Sequence, residues 1–167
     1  MATQALVSPE EYLSTSFDGA DREYVDGLIV ERNAGENPHS EVQARFIEIF
    51  YELRKRHPLH CRPELRLKLA PTRYRIPDVA VFHPGKPTEL VPASPPLIVV
   101  EIVSREDRYI DVLKKLEEYR AWGVPHIWIV DPWQRTLSVY EKDGLITVSA
   151  FVIGELGIEI PRAEILP

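Results

Sequence analysis

The chain has 167 residues, 44% apolar and 28% charged, which are the shares of an ordinary globular protein and exclude a disordered or fibrous chain. A single cysteine, Cys61, excludes an internal disulfide and a thiolate-rich metal centre, and it points to a reducing, cytoplasmic setting. The net charge of −6 argues against a protein that coats nucleic acid indiscriminately, because neutralising phosphates supplies that affinity.

The charge is unevenly spread. Between Arg45 and Arg75, nine Lys or Arg stand against three acids, a local excess of +6 that leaves −12 elsewhere. Such a window suits either an anion-facing surface or a solvated helix face followed by a basic strand. Residues 1–6 show no basic stretch leading into a long apolar core. The longest apolar runs, such as Leu97 to Val100, are far too short to span a membrane, so neither export nor insertion is expected.

Ser8-Pro9-Glu10-Glu11 reads as a helix start, with a hydroxyl cap, a proline at the first helical position and acids in the first turn. Asp26-Gly27, between apolar-containing arms in Glu23 to Arg32, predicts a hairpin. From Ser40 to Arg56 the residues Val42, Phe46, Ile49, Phe50 and Leu53 recur at helical spacing. Leu65, Leu67 and Leu69 alternate with Arg66 and Lys68, a half-exposed strand with a basic outer face.

Ile76 to Phe82 and Leu97 to Val103 are rich in Val and Ile and read as central strands buried on both faces. Five prolines between Pro84 and Pro96 make the connection a loop. Tyr109 to Trp122 has helical periodicity, ended by Gly123 and Pro125, and His126 to Val130 is another buried strand. After the Asp131-Pro132 turn, Thr136 to Tyr140 and Leu145 to Ile153 form a meander around Lys142-Asp143-Gly144. With no repeat and no long linker, residues 1–167 are expected to form one α/β domain, a single mixed sheet flanked by helices.

Asp78 and Glu101 each interrupt an apolar strand. Charged residues are rarely buried unless paired or bound to metal, and two carboxylates side by side repel each other. A divalent cation resolves this, and oxygen ligands suit Mg²⁺ or Mn²⁺. The bland reading makes Asp78 a turn cap after Pro77, and puts Glu101 at a strand end paired with an arginine such as Arg75 or Arg105. Either acid alone favours that reading; the pair favours the metal.

Asp111, Lys115 and Tyr119 stand four residues apart and share one helix face. Lys115 could bring an ammonium to a metal-bound water or a scissile phosphate, or it could simply form an exposed pair with Asp111. His57, His60 and Cys61 lie close together, but they are too few for a structural zinc site. No nucleophile elbow, Walker loop or zinc-protease helix motif is present.

Pro77-Asp78, Glu101 within Val99-Val100-Glu101-Ile102-Val103-Ser104, Asp111, Lys115 and Tyr119, Gly123-Val124-Pro125 and Trp128-Ile129-Val130-Asp131-Pro132 occur in succession. That succession closely resembles the Uma-type restriction endonuclease family of the PD-(D/E)XK nuclease superfamily. Glu23 in Glu23-Tyr24-Val25-Asp26-Gly27 and His39 extend the likeness, which runs from about Glu23 to Tyr140. The resemblance implies a restriction-endonuclease-like fold, with Asp78, Glu101 and the backbone carbonyl of Ile102 binding Mg²⁺. The superfamily's commonest pattern places a lysine two residues after that glutamate, where this chain has Val103. The family's displaced lysine matches Lys115, and Lys114 points about 100° away on the helix.

The expected activity is Mg²⁺-dependent endonucleolytic cleavage of DNA. Mg²⁺ on Asp78 and Glu101 would lower the pKa of a bound water, and Lys115 would orient or activate it. Glu23, His39, Asp111 and Tyr119 would support the site, although a lone histidine at a helix start is more often a cap or a surface residue. The alternative is a non-catalytic binding or assembly module on the same fold, and RNA or another phosphodiester is a further possible substrate. A homodimer is expected from the need to cut two strands. Asp78→Ala or Glu101→Ala should abolish cleavage and leave the fold intact or firmer, because repulsion is relieved.

Overall fold

A computed structural model describes residues 6–33 and 35–166 of the chain. Of the stretch assessed for an export signal, residues 1–5 lie outside the described residues.

Ser8 caps α1 (Pro9–Ser14) by accepting a hydrogen bond from the Glu11 N–H at 3.1 Å, as its sequence predicts. β1 (Glu23–Val25) and β2 (Leu28–Val30) form the expected hairpin, with Val25 opposite Leu28. Asp26 and Gly27 have φ values of 50° and 91°, the mirror-image turn that matches strand twist and that Asp-Gly favours. α2 (Asn37–Leu53) begins before Ser40, because Pro38 is pre-set for the first helical turn.

The strands that follow are β3 (His60–Pro63), β4 (Leu67–Ala70), β5 (Arg73–Arg75), β6 (Val79–Phe82) and β7 (Ile98–Ile102). α3 (Tyr109–Trp122) then leads to β8 (His126–Asp131), β9 (Thr136–Glu141) and β10 (Gly144–Val148). The described chain closes with β11 (Ala150–Ile153), β12 (Ile158–Pro161) and the short α4 (Arg162–Ile165). Gly123 ends α3 in the left-handed conformation at φ 101°, where a side chain would be strained.

The central sheet is mixed and six-stranded, in the order β10-β9-β8-β7-β6-β3. β7 and β8 are parallel and joined through α3, and the other neighbours run antiparallel. The expectation of one sheet is corrected: β2-β1-β5-β4 make a separate antiparallel sheet, and β11 pairs with β12 alone. The predicted Ile76 to Phe82 strand is interrupted at Pro77, which has no N–H to donate to a ladder, so regular pairing starts only at Val79. Just before it, Arg73–Arg75 pairs with β1 in the hairpin sheet.

Alternation along β6 and β7 assigns the two faces. Val79, Val81, Ile98, Val100 and Ile102 pack with Val42, Phe46 and Phe50 of α2, whereas Ala80, Phe82 and Val99 pack with Leu116 and Tyr119 of α3. Trp128 stacks on Phe151 with ring centroids 4.4 Å apart, a contact worth about 1 kcal/mol beyond the area it buries. Asp78 and Glu101 have the parity of Ala80 and Val99, so both carboxylates belong to the α3 side.

Candidate active site

The β6–β7 register pairs Val79 with Val100 and Ala80 with Val99, so one further step sets Asp78 opposite Glu101. Residues opposite each other on one face of a sheet hold their Cβ atoms about 5 Å apart. Both side chains are buried. Asp78 Oδ2 accepts from the Ile102 N–H at 2.7 Å and faces His39 Nε2 at 3.3 Å, while Oδ1 accepts from Arg32 at 3.1 Å.

Lys115 and Tyr119 arrive together from one turn to the next of α3. The Lys115 ammonium lies 2.8 Å from Glu101 Oε1 and 2.8 Å from Glu23 Oε1, and it donates to the Ile76 carbonyl at 3.2 Å. The Tyr119 hydroxyl donates to Glu101 Oε1 at 2.8 Å. Glu23, whose role the sequence leaves open, is a hub: it also accepts from the Ile76 N–H at 2.9 Å and from Arg75 at 2.8 Å. Arg75 in turn is gripped by Glu118.

The three carboxylates do not titrate alike. Burial pushes Glu101 up to about 7, Lys115 opposes the rise, and the charges of Asp78 and Glu23 add to it. Burial also acts on Asp78, but the hydrogen bond and charge of His39, with Lys115 and the Ile102 N–H, hold it below the usual aspartate value. Glu23 is held down to about 2 by Lys115 and Arg75 against its burial. Burial disfavours the Lys115 ammonium, yet Glu101 and Glu23 outweigh it, so the lysine is a firm cation.

Most of the expected site residues therefore meet. Asp78, Glu101, Ile102, Lys115, Glu23 and His39 line one cleft of about 310 Å³, and buried Tyr119 is tied to it through Glu101. Asp111 also lines the cleft, but as an exposed residue in the first turn of α3, 3.8 Å from Arg108 and 3.9 Å from Lys114. His39 is buried rather than a cap or a surface residue. The bland pairings do not form: Arg75 serves Glu23 and Glu118, and Arg105 lies over Trp133 and near Glu36.

Nor does the basic window face the cleft. Of its nine cations only Arg75 lines it, and others are taken up elsewhere, Arg66 by Asp21 and Tyr12 and Arg73 by Asp26 and Glu118. Arg32 and Arg108 are cleft cations that sequence reading missed, and an isolated arginine after a hairpin or before a helix carries no signal that could have found it.

Among the described residues, no three His, Cys, Asp or Glu side chains group as a metal-ligand set, including His57, His60 and Cys61. Asp78 and Glu101 form a two-carboxylate oxygen set, and burial, with the charges of Asp78 and Glu23 adding to it, raises Glu101's pKa despite Lys115. Both features fit a hard divalent cation, which commonly takes one or two carboxylates and keeps its waters.

The family model described as "Putative restriction endonuclease" matches residues 9–161. The chain belongs to this Uma2 family. The crystal structure of "a putative nuclease belonging to DUF820" from Anabaena variabilis is similar in fold, with a TM-score of 0.82 at 18% identity over 95% of this chain and 97% of that one. The Uma2 chain thus has a restriction-endonuclease-like fold, a mixed α/β architecture. No curated protein matches it. Among the described residues, no helix is long and apolar enough to cross a membrane.

Proposed function

We propose that this chain is a Mg²⁺-dependent endonuclease that hydrolyses phosphodiester bonds of DNA, with Asp78, Glu101 and Lys115 as its working residues. The observation that carries the reading is their convergence: two carboxylates from adjacent strands and one ammonium from the helix over them meet in one cleft. Asp78 and Glu101, with the Ile102 carbonyl, would hold the ion. Bound there, it would acidify a water and offset charge on the phosphate.

Lys115 keeps its proton at Nζ, because two carboxylates favour the ammonium. It can therefore serve as a hydrogen-bond donor and positive charge for the phosphate or the water. Tyr119 orients Glu101, Glu23 orients Lys115, and His39 orients Asp78. Cutting both strands calls for two such sites, so the reading carries a homodimer as its expected assembly.

The acidic mouth, with Glu31, Glu106, Asp107 and Asp111, favours a second reading, a nuclease-fold binding or assembly module without catalysis. Titrating Mn²⁺ into wild type and Glu101→Ala by electron paramagnetic resonance, followed by incubation of supercoiled plasmid with Mg²⁺, separates the two. Glu101-dependent binding together with plasmid nicking supports the enzyme. Mn²⁺ binding without cleavage of DNA or RNA supports the module, and no binding removes the metal mechanism.

A further inference from the structure

The cations in the cleft are not held alike. Lys115 is pinned between Glu23 and Glu101, and Arg75 between Glu23 and Glu118. Arg108 lies in solvent with a side chain 79% exposed. Arg32 is different: its side chain is only 12% exposed, its one close acidic partner is Asp78 Oδ1 at 3.1 Å, and its other, Glu64, is exposed and 3.8 Å away.

The oxygen that Arg32 takes is also the one a cation would need. Asp78 Oδ2 already serves His39 and the Ile102 N–H, whereas among the described residues the close partner of Oδ1 is the Arg32 guanidinium. A divalent cation brings twice the charge of the guanidinium to that oxygen. An arginine displaced from Oδ1 stays in the cleft, tethered just after β2, with a planar fork of donors that matches phosphate oxygens better than a lysine does.

We infer that Arg32 is an exchangeable latch: it occupies Asp78 Oδ1 in competition with the metal, and on release it binds the phosphate of the substrate backbone. The inference rests on the nuclease reading but adds to it a residue with two partners. It predicts that removing the guanidinium helps the metal and harms the nucleic acid. A residue that merely supported the fold would weaken both.

The test measures Mn²⁺ affinity by electron paramagnetic resonance in wild type, Arg32→Gln, Arg32→Met and Arg32→Lys. It also measures binding of a fluorescein-labelled DNA duplex by anisotropy across a salt series, with Ca²⁺ replacing Mg²⁺ so that the duplex is not cut. Both uncharged variants should take Mn²⁺ about tenfold more tightly and the duplex about tenfold more weakly, the size of one charge-assisted contact. Their slope of log affinity against log salt should be shallower by about 0.9, one phosphate contact fewer. Arg32→Lys should keep the slope and recover part of the affinity.

Mn²⁺ affinity that is unchanged or weaker in both uncharged variants, or an unchanged salt slope, overturns the latch alone. Wild type that takes Mn²⁺ but binds neither the duplex nor single-stranded DNA or RNA overturns the phosphate role. Wild type that binds neither Mn²⁺ nor nucleic acid overturns the nuclease reading, and the latch with it. Melting curves of all four proteins show whether a shift reflects binding or lost folding, and two uncharged variants of different shape guard against the failure of one.

Discussion

The Tyr119 hydroxyl and the Lys115 ammonium, one helical turn apart on α3, both end 2.8 Å from Oε1 of Glu101. One carboxylate oxygen thus joins the helix to the central strand. Removing the hydroxyl isolates its share. Tyr119→Phe should cost about 1–2 kcal/mol of stability, the usual worth of a hydrogen bond to a charged group, read by chemical denaturation at pH 8. Unchanged stability would mean that Lys115 alone holds Glu101 in place.

Glu101 and Asp78 should affect stability in opposite directions, contrary to the expectation that losing either acid leaves the fold intact or firmer. Glu101's folded pKa of about 7 lies above its ordinary value of 4.5. Its contribution to stability is therefore complete below about pH 4.5 and lost as pH rises through 7. Glu101→Gln should be more stable than wild type at pH 8, by roughly 2 kcal/mol once the weaker hold on Lys115 is subtracted, and no more stable near pH 4. Asp78 is shifted downward, so Asp78→Asn should lose roughly 3 kcal/mol at neutral pH by stranding Arg32 and His39. Denaturant midpoints of both variants across pH check the signs.

Glu23 gives the clearest acid dependence. Its folded pKa of about 2 lies below the ordinary 4.5, so the stability it supplies is complete above pH 4.5 and lost as pH falls toward 2. Glu23→Gln should be less stable than wild type by roughly 3 kcal/mol at pH 7, and the gap should close on acidification over that range. A gap that stays constant with pH would show that packing, not charge, is what Glu23 provides.

On the nuclease reading, Lys115→Ala should lower kcat about a hundredfold or more, the cost of one donor aimed at developing charge, while Lys114→Ala leaves it near wild type. Lys114 is exposed, and its acidic neighbour is Asp111 at 3.9 Å. Single-turnover cleavage with each variant's Mn²⁺ affinity measured alongside keeps a chemical defect apart from a metal defect. Equal losses from the two lysines would undo the assignment.

The elements that were legible in the sequence are those set by local chemistry. Asp-Gly supplies its own turn at 26–27, Ser8-Pro9 its own cap, and Gly123 its own helix stop. The two acids were legible for a related reason: a carboxylate inside Ile76 to Phe82 or Leu97 to Val103 violates the apolar period, and only a partner could justify it. Lys115 and Tyr119 followed from helix spacing, but Asp111, at the same spacing, lines the cleft as an exposed residue beside Arg108 and Lys114, because period gives the face of a helix and not how deeply each residue on it is buried.

What tertiary structure alone decided is which charges meet. Pro77 lies between β5 of the hairpin sheet and β6 of the central sheet, and the bonds that Ile76 donates to Glu23 and Arg32 donates to Asp78 bring the hairpin and the residue after it to the start of β6. Arg32 and Asp78 are separated by 46 residues and Glu23 and Arg75 by 52. No periodicity spans such distances. Each carboxylate's pKa follows from those distant partners, since Coulomb energy depends on separation in space and not along the chain. The chain's order of residues therefore determined that carboxylates would be buried in this sheet, and the packing of hairpin, sheet and helix determined which of them carries a proton near neutral pH.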